Sequence, residues 1–171
     1  MNIMDILINR RSIRKYKNEK IERDTLEELV KAGMYAPSAV NKQPWHFIIV
    51  DDPLIMNRIA DVHPNAQMLR HAAAAIVVVA DKEASHGGVY WPLDCSAATQ
   101  NILLAAHGKG LGSVWLGVYP REERVKGLND IFNLPEGKIA FSAISLGYPA
   151  EEKPVPERFH MEKIHFNTFS R

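Results

Sequence analysis

Asn9-Arg10-Arg11-Ser12-Ile13-Arg14-Lys15-Tyr16-Lys17 is the stretch on which the reading of this chain turns. It concentrates arginine and lysine in one short segment, although the whole protein carries 21 Lys+Arg against 20 Asp+Glu. Arginine presents a planar fork of donors that grips phosphate oxygens in pairs, and Ser12 adds a hydroxyl in the middle of the run. Arg10, Arg11, Ser12 and Arg14 are therefore candidates for a phosphate site. A solvated basic turn, or an arm for nucleic acid, accounts for the same run equally simply. The surrounding sequence has to choose.

The chain has 171 residues, which is the size of one domain with room for a sizeable core. Hydrophobic residues make up 46% and charged residues 24%, ordinary values for a soluble globular protein. The net charge of +1 argues against a general polyanion binder, and Tyr16 is the only aromatic close to the arginines, so a nucleic-acid arm is disfavoured. Cys95 is the single cysteine, which excludes an intrachain disulfide and fits a reducing, cytoplasmic setting. No apolar window is long enough to span a membrane, and no secretory leader is legible.

Working outward, Ile3, Ile6 and Leu7 predict a short amphipathic helix running into the basic stretch. A second helix opens near Asp24-Thr25 and must stop before Pro37. Residues 37–45, Pro-Ser-Ala-Val-Asn-Lys-Gln-Pro-Trp, form a loop, followed by a strand at 47–50 and a helix from Pro53 to about Ala60. A short helix is expected at 66–70. Ala75-Ile-Val-Val-Val-Ala80 is uniformly apolar and predicts a central strand buried on both faces. Residues 81–88 read as a mobile surface loop. The stretch from Pro92 to His107 reads as the longest helix, and it has no charge after Asp94. A helix without a charged face predicts burial all round, and in a domain this small that calls for a second subunit. Strands at 113–118 and 139–146 flank a helix at 122–128, and the segment from Ala150 onward is a proline-rich, charged tail suited to lie on a partner. The residues alone thus establish a mixed α and β domain, expected to be dimeric.

Most chemical motifs fail on context. Gly108-x-Gly110-x-Gly112 follows a helix and precedes a strand, the reverse of a dinucleotide fingerprint, so it reads as a helix cap and turn. His86-Gly87-Gly88 lacks the nucleophile turn that an oxyanion loop would serve. The seven histidines show no metal-ligand spacing. Asp51-Asp52 and Glu122-Glu123 fall at helix starts, where capping explains them. What remains is an anion site with neither glycine loop nor metal, which points to a phosphorylated organic cofactor. Ser38, Asn41 and Gln43 suit hydrogen bonding to a planar heterocycle, and Trp115-Leu116-Gly117 at a strand end offers backbone N–H groups and a flat surface.

Four motifs, Arg10-Arg-Ser-Ile-Arg-Lys-Tyr16, Ala36-Pro-Ser-Ala-Val-Asn-Lys-Gln-Pro-Trp45, Gly112-Ser-Val-Trp-Leu-Gly117 and Leu146-Gly-Tyr-Pro-Ala-Glu-Glu-Lys-Pro154, resemble the nitroreductase family of FMN flavoproteins in its shorter form. The resemblance implies an α+β fold with a central, mostly antiparallel sheet flanked by helices. It also implies an interlocked homodimer, with FMN at the subunit interface and residues 150–171 as a tail on the partner. By that resemblance Arg10, Arg11, Ser12 and Arg14 would hold the phosphate and ribityl chain, joined by Arg158, with Lys153 as the competing residue. Pro37, Ser38, Ala39 and Asn41 would come from the other subunit to line the isoalloxazine. Trp115, Leu116 and Gly117 would bound its other side, and Gln67 or Asn65 would reach the pyrimidine edge. The implied activity is ping-pong transfer of electrons from NADH or NADPH through FMN to an electron-poor acceptor such as a nitroaromatic, quinone or flavin. An FMN store or sensor without turnover would use the same residues. Residues 82–91, with Tyr90 and Trp91, are where a substrate-selecting loop is expected.

Overall fold

The eight residues Ala74–Asp81 form the strand around which the sheet is built, in a computed structural model that describes residues 2–169. Met1, and Ser170 and Arg171 of the expected tail, lie outside the described residues. Four strands, β1 (Trp45–Val50), β2 (Ala74–Asp81), β3 (Gly112–Gly117) and β4 (Lys138–Gly147), pair in the order β1-β2-β4-β3. Every pairing is antiparallel. Five α-helices, α1 (Ile3–Asn9), α2 (Arg23–Met34), α3 (Pro53–Val62), α4 (Trp91–Gly108) and α5 (Glu122–Phe132), complete an α+β fold among the described residues.

The uniform apolar run of β2 follows from its place. Ile76 and Val78 pack with Leu26, Leu29, Cys95 and Ile102 beneath α2 and α4. Val77 and Val79 pack on the other face with Met56, Ile59 and Leu128 beneath α3 and α5. An antiparallel strand usually alternates because one face meets water. Here helices cover both faces, so every position from Ala74 to Ala80 is apolar.

Local signals set the helix ends. Asp52 accepts the Leu54 N–H at 2.8 Å, and Pro53 takes the first helical position of α3, where its missing N–H costs nothing. The second helix begins one residue earlier than Asp24, at Arg23, with Asp24 in its first turn. The α5 helix runs past Leu128 to Phe132 and ends on Asn133 in the left-handed region, φ 49°. Trp91 opens α4 and is buried against Tyr119 and Phe141, so it belongs to the core and not to the surface loop before it. The α4 helix is not covered all round in one chain: Leu93 is exposed, as are Ile3, Met4, Leu7 and Ile8 of α1.

Between α1 and α2 the basic stretch runs as an extended arm. Ser12 bridges Ser113 in parallel, the Ile13 N–H donates to the Ser113 carbonyl at 3.0 Å, and the Lys17 N–H donates to the Tyr148 carbonyl at 2.8 Å. The arm therefore lies between the free edge of β3 and the segment that leaves β4. Its seat is made by two glycines that face each other across the strands, Gly112 and Gly147. A Cβ on Gly112 would sit 2.7 Å from Ile13 Cγ2, and one on Gly147 would sit 2.7 Å from the Tyr16 ring. No helix among the described residues is long and apolar enough to cross a membrane.

Candidate functional site

Successive side chains of an extended segment point to opposite sides. Past Arg10, which caps α1, Ser12 and Arg14 therefore share one side of the arm, and Arg11 and Ile13 the other. Arg11 spends its donors on main-chain carbonyls: Nε on Pro154 at 3.0 Å, Nη1 on Arg10 at 2.5 Å and Nη2 on Ile8 at 2.7 Å. That arginine fastens α1 and the tail to the arm. Arg10 is different. Burial, then the nearby Arg11 and Arg158 cations, lower its pKa, the mark of a cation crowded by like charge. Arg10, Arg11, Gln100 and Arg158 line a cavity of about 480 Å³; its carboxylate, Glu157, accepts the Phe159 N–H at 3.2 Å. Lys153 donates to the Ser12 carbonyl at 2.7 Å and lies 3.4 Å from Glu151, so its charge is already engaged.

Arg14 opens on a second cleft, of about 460 Å³, where Asn65, Gln67, Trp115, Leu116 and Gly117 also lie. The arm thus joins two cationic pockets. At about 3.3 Å per residue, Arg10 and Arg14 are up to roughly 13 Å apart along it. Because the Ser113 carbonyl points away from β4 to the arm, alternation turns the backbone groups of Trp115 and Gly117 outward as well. A Cβ on Gly117 would meet nothing within 4 Å among the described residues, so packing does not demand glycine there, and Gly117 is one of the residues lining the cleft. The Gln67 amide is committed at both ends, to the Ala60 carbonyl at 2.8 Å and to Arg70 Nε at 3.2 Å.

Two residues of this cleft were not singled out from the sequence. His63 is 1% exposed, and its Nε2 lies 2.9 Å from the Gly117 carbonyl while its Nδ1 accepts the Asn65 N–H at 3.3 Å. A carbonyl can only accept, so the ring is neutral with its proton on Nε2. Burial, with a smaller contribution from the Arg124 cation, lowers the His63 pKa and keeps it in that state. Arg124 donates Nη1 to the same carbonyl at 2.9 Å. The cleft lining holds two arginines and no carboxylate. In the sequence His63-Pro-Asn reads only as a turn, and Arg124 as one residue of a short amphipathic helix; neither carries a local signal.

Pro37, Ser38, Ala39 and Asn41 lie elsewhere. Their loop leads into β1, at the sheet edge opposite β3 and its cleft, and none of them lines that cleft. The loop is held in an unusual shape: Val40, Asn41 and Gln43 have φ of 52°, 54° and 49°. For the β-branched Val40 this is a true outlier, of the kind that persists where the surroundings over-determine it. Those surroundings are visible. The Ala39 N–H donates to the buried Asp94 carboxylate at 2.9 Å, the Gln43 N–H to Ser38 Oγ at 2.9 Å, and Gln43 Nε2 to Asn41 Oδ1 at 3.1 Å.

The arm seated on a sheet edge, two arginine-lined pockets and an antiparallel sheet covered by helices on both faces make up the α+β architecture of this chain. The model of the Nitroreductase family matches residues 7–148, and the chain belongs to that family. It is 49% identical over 166 residues to a protein of Archaeoglobus fulgidus provisionally named NADH dehydrogenase/NAD(P)H nitroreductase, covering 95% of each chain. Among solved structures it superposes on an FMN-dependent nitroreductase of Clostridium difficile with a TM-score of 0.90 and 34% identity, covering 97% of this chain and 99% of that one. It also superposes on a provisionally assigned nitroreductase of Desulfovibrio desulfuricans in complex with FMN, with a TM-score of 0.84, 31% identity and 99% of each chain covered.

Proposed function

We propose that this protein is an FMN-dependent oxidoreductase that passes electrons from NADH or NADPH to an electron-poor acceptor, and that it works as a homodimer. The observation that carries the reading is the cleft that joins Arg14 to the outward-facing backbone of Trp115 and Gly117, with open space where a Gly117 side chain would stand. A glycine in a strand often marks a place where a ligand approaches the backbone closely.

The residues present fit FMN. Arg10 and Arg158, which line one cavity and crowd each other as like charges, would take the phosphate, with Ser12 two residues along the arm from Arg10. Arg14 would hold the ring end of the ligand, facing the Trp115, Leu116 and Gly117 edge, and Asn65 is better placed than the already committed Gln67 for its polar rim. Arg11 and Lys153 would stay structural. When bound, FMN supplies the hydride and electron chemistry, which agrees with a cleft that offers no nucleophile.

The dimer follows from where the loop lies. Pro37, Ser38, Ala39 and Asn41 stand at the far sheet edge, so in this reading they reach a flavin in the cleft only from a second copy. The exposed apolar side chains of α1, Leu93 on α4, and Phe159, Phe166 and Phe169 in the tail would be covered by the same partner. The test is to supply FMN to the purified protein, bleach the flavin with NADH or NADPH, and reoxidise it with a nitroaromatic or a quinone. Bound flavin that neither nicotinamide reduces would assign the protein to flavin storage or sensing instead.

A further inference from the structure

The end of β3 is held from outside the sheet by two donors on one acceptor. His63 Nε2 and Arg124 Nη1 both reach the Gly117 carbonyl, each at 2.9 Å. His63 comes from the residue that closes α3, and Arg124 from the first turns of α5, so the clamp ties both helices of one layer to the last residue of the strand. His63 is itself fixed, because the Asn65 N–H occupies its other ring nitrogen. Among the described residues a Cβ on Gly117 would find no neighbour within 4 Å, so side-chain packing does not hold this residue. Its N–H lies on the same side of the strand as its carbonyl, by the alternation that the Ser113 to Ile13 bond fixes. Holding the carbonyl therefore also holds the direction of the N–H.

We propose that His63 and Arg124 are positioning residues for the cofactor: by clamping the Gly117 carbonyl they keep the outward N–H groups of the β3 edge aimed at the ring of the bound flavin. This rests on the FMN reading of the cleft. Both residues act through Gly117 and not by touching the reacting atoms. The clamp differs from a mere helix tie because its loss changes the hydrogen bonding of the flavin and not only the melting of the chain.

The experiment compares His63→Leu and Arg124→Met with His63→Gln and Arg124→Lys, which keep a donor. The readouts are FMN affinity by fluorescence quenching, the visible spectrum of the bound flavin and its midpoint potential. The clamp requires His63→Leu and Arg124→Met to bind FMN about five- to tenfold more weakly, the effect of losing one of the two hydrogen bonds that hold Gly117, with a shifted spectrum and potential. His63→Gln and Arg124→Lys should recover part of each. Wild-type affinity, spectrum and potential in both donor-lacking variants would overturn the proposal, as would a lowered melting temperature with an unchanged flavin. Should His63→Leu not fold, Arg124→Met, on a half-exposed side chain, decides alone. A wild-type protein that takes up no FMN would reject the cofactor reading itself, and the proposal with it.

Discussion

Gly147→Ala tests whether the seat of the arm controls the site. The new Cβ would lie 2.7 Å from Cγ and Cδ1 of Tyr16 and 2.8 Å from its Cβ. Carbon atoms rest about 3.5–4.0 Å apart, so the contact must open by roughly 1 Å. Tyr16 cannot swing aside cheaply, because its hydroxyl donates to the Ile13 carbonyl at 2.7 Å and its backbone bridges Pro149. One of the crowded atoms is its own Cβ, so the arm backbone has to move. Overpacking of this kind costs about 1–3 kcal/mol, offset by about 0.5–1 kcal/mol from the reduced freedom of the unfolded chain. A net loss of about 0.5–2 kcal/mol should appear in urea melts of the apo protein. Arg14 lies two residues from Tyr16, and an arm displaced by about 1 Å forfeits at least one charge-assisted hydrogen bond to the ligand, worth about 1.5–3 kcal/mol. FMN affinity, measured by flavin fluorescence, should therefore fall about tenfold or more. A variant that is destabilised as expected yet binds FMN within about twofold of wild type would refute the link between arm and cofactor.

Four further outcomes are expected from the geometry. Arg11→Ala should lower stability by about 1–3 kcal/mol in a urea melt, through three lost bonds to main-chain carbonyls, while Arg10→Ala and Arg14→Ala should act on FMN affinity with little change in the melt. Thr99→Val should cost about 1–3 kcal/mol, because buried Thr99 donates to the Cys95 carbonyl and accepts from Ser142, whose hydroxyl would be stranded; a melt within error of wild type would contradict this. The pH dependence has a worked sign. Burial lowers the folded pKa of both His63 and His107, so the unfolded chain binds more protons below about 6.5. Stability should fall as pH drops from there toward the folded values and level off beneath them, and His63→Gln should flatten the curve. In the same melts the Cys95 thiol, pushed up to about 12 chiefly by burial, should react with a disulfide reagent at pH 8 only as the chain unfolds.

Much of this was legible in the chain because the features are local or periodic. The apolar run at 75–80 could only be a doubly covered strand, and Asp52-Pro53 could only open a helix. The basic arm and the proline loop carried the family resemblance. Other features depend on contacts distant in sequence. Nothing near Arg11 announces that its donors meet carbonyls of residues 8, 10 and 154, while Arg10 beside it stays crowded by cations. His63 acquires its partner 54 residues away, and Arg124 looks like any helix cation until β3 ends beside it. Trp91 sits next to a polar loop in sequence but belongs to the aromatic core with Tyr119 and Phe141. The loop at 37–43 hides its strain, since its left-handed residues are valine, asparagine and glutamine, with no glycine to mark them.

If Arg10 and Arg14 of the arm hold a flavin phosphate and ring against the β3 edge, removing both side chains must release the cofactor. The most direct measurement is the flavin-to-protein ratio, read from the absorbance spectra of the purified wild type and the Arg10→Ala/Arg14→Ala double variant after saturation with FMN and removal of the excess. The expected result is stoichiometric FMN in the wild type and a folded, colourless double variant. A colourless wild type, or a double variant that keeps stoichiometric FMN, would contradict it.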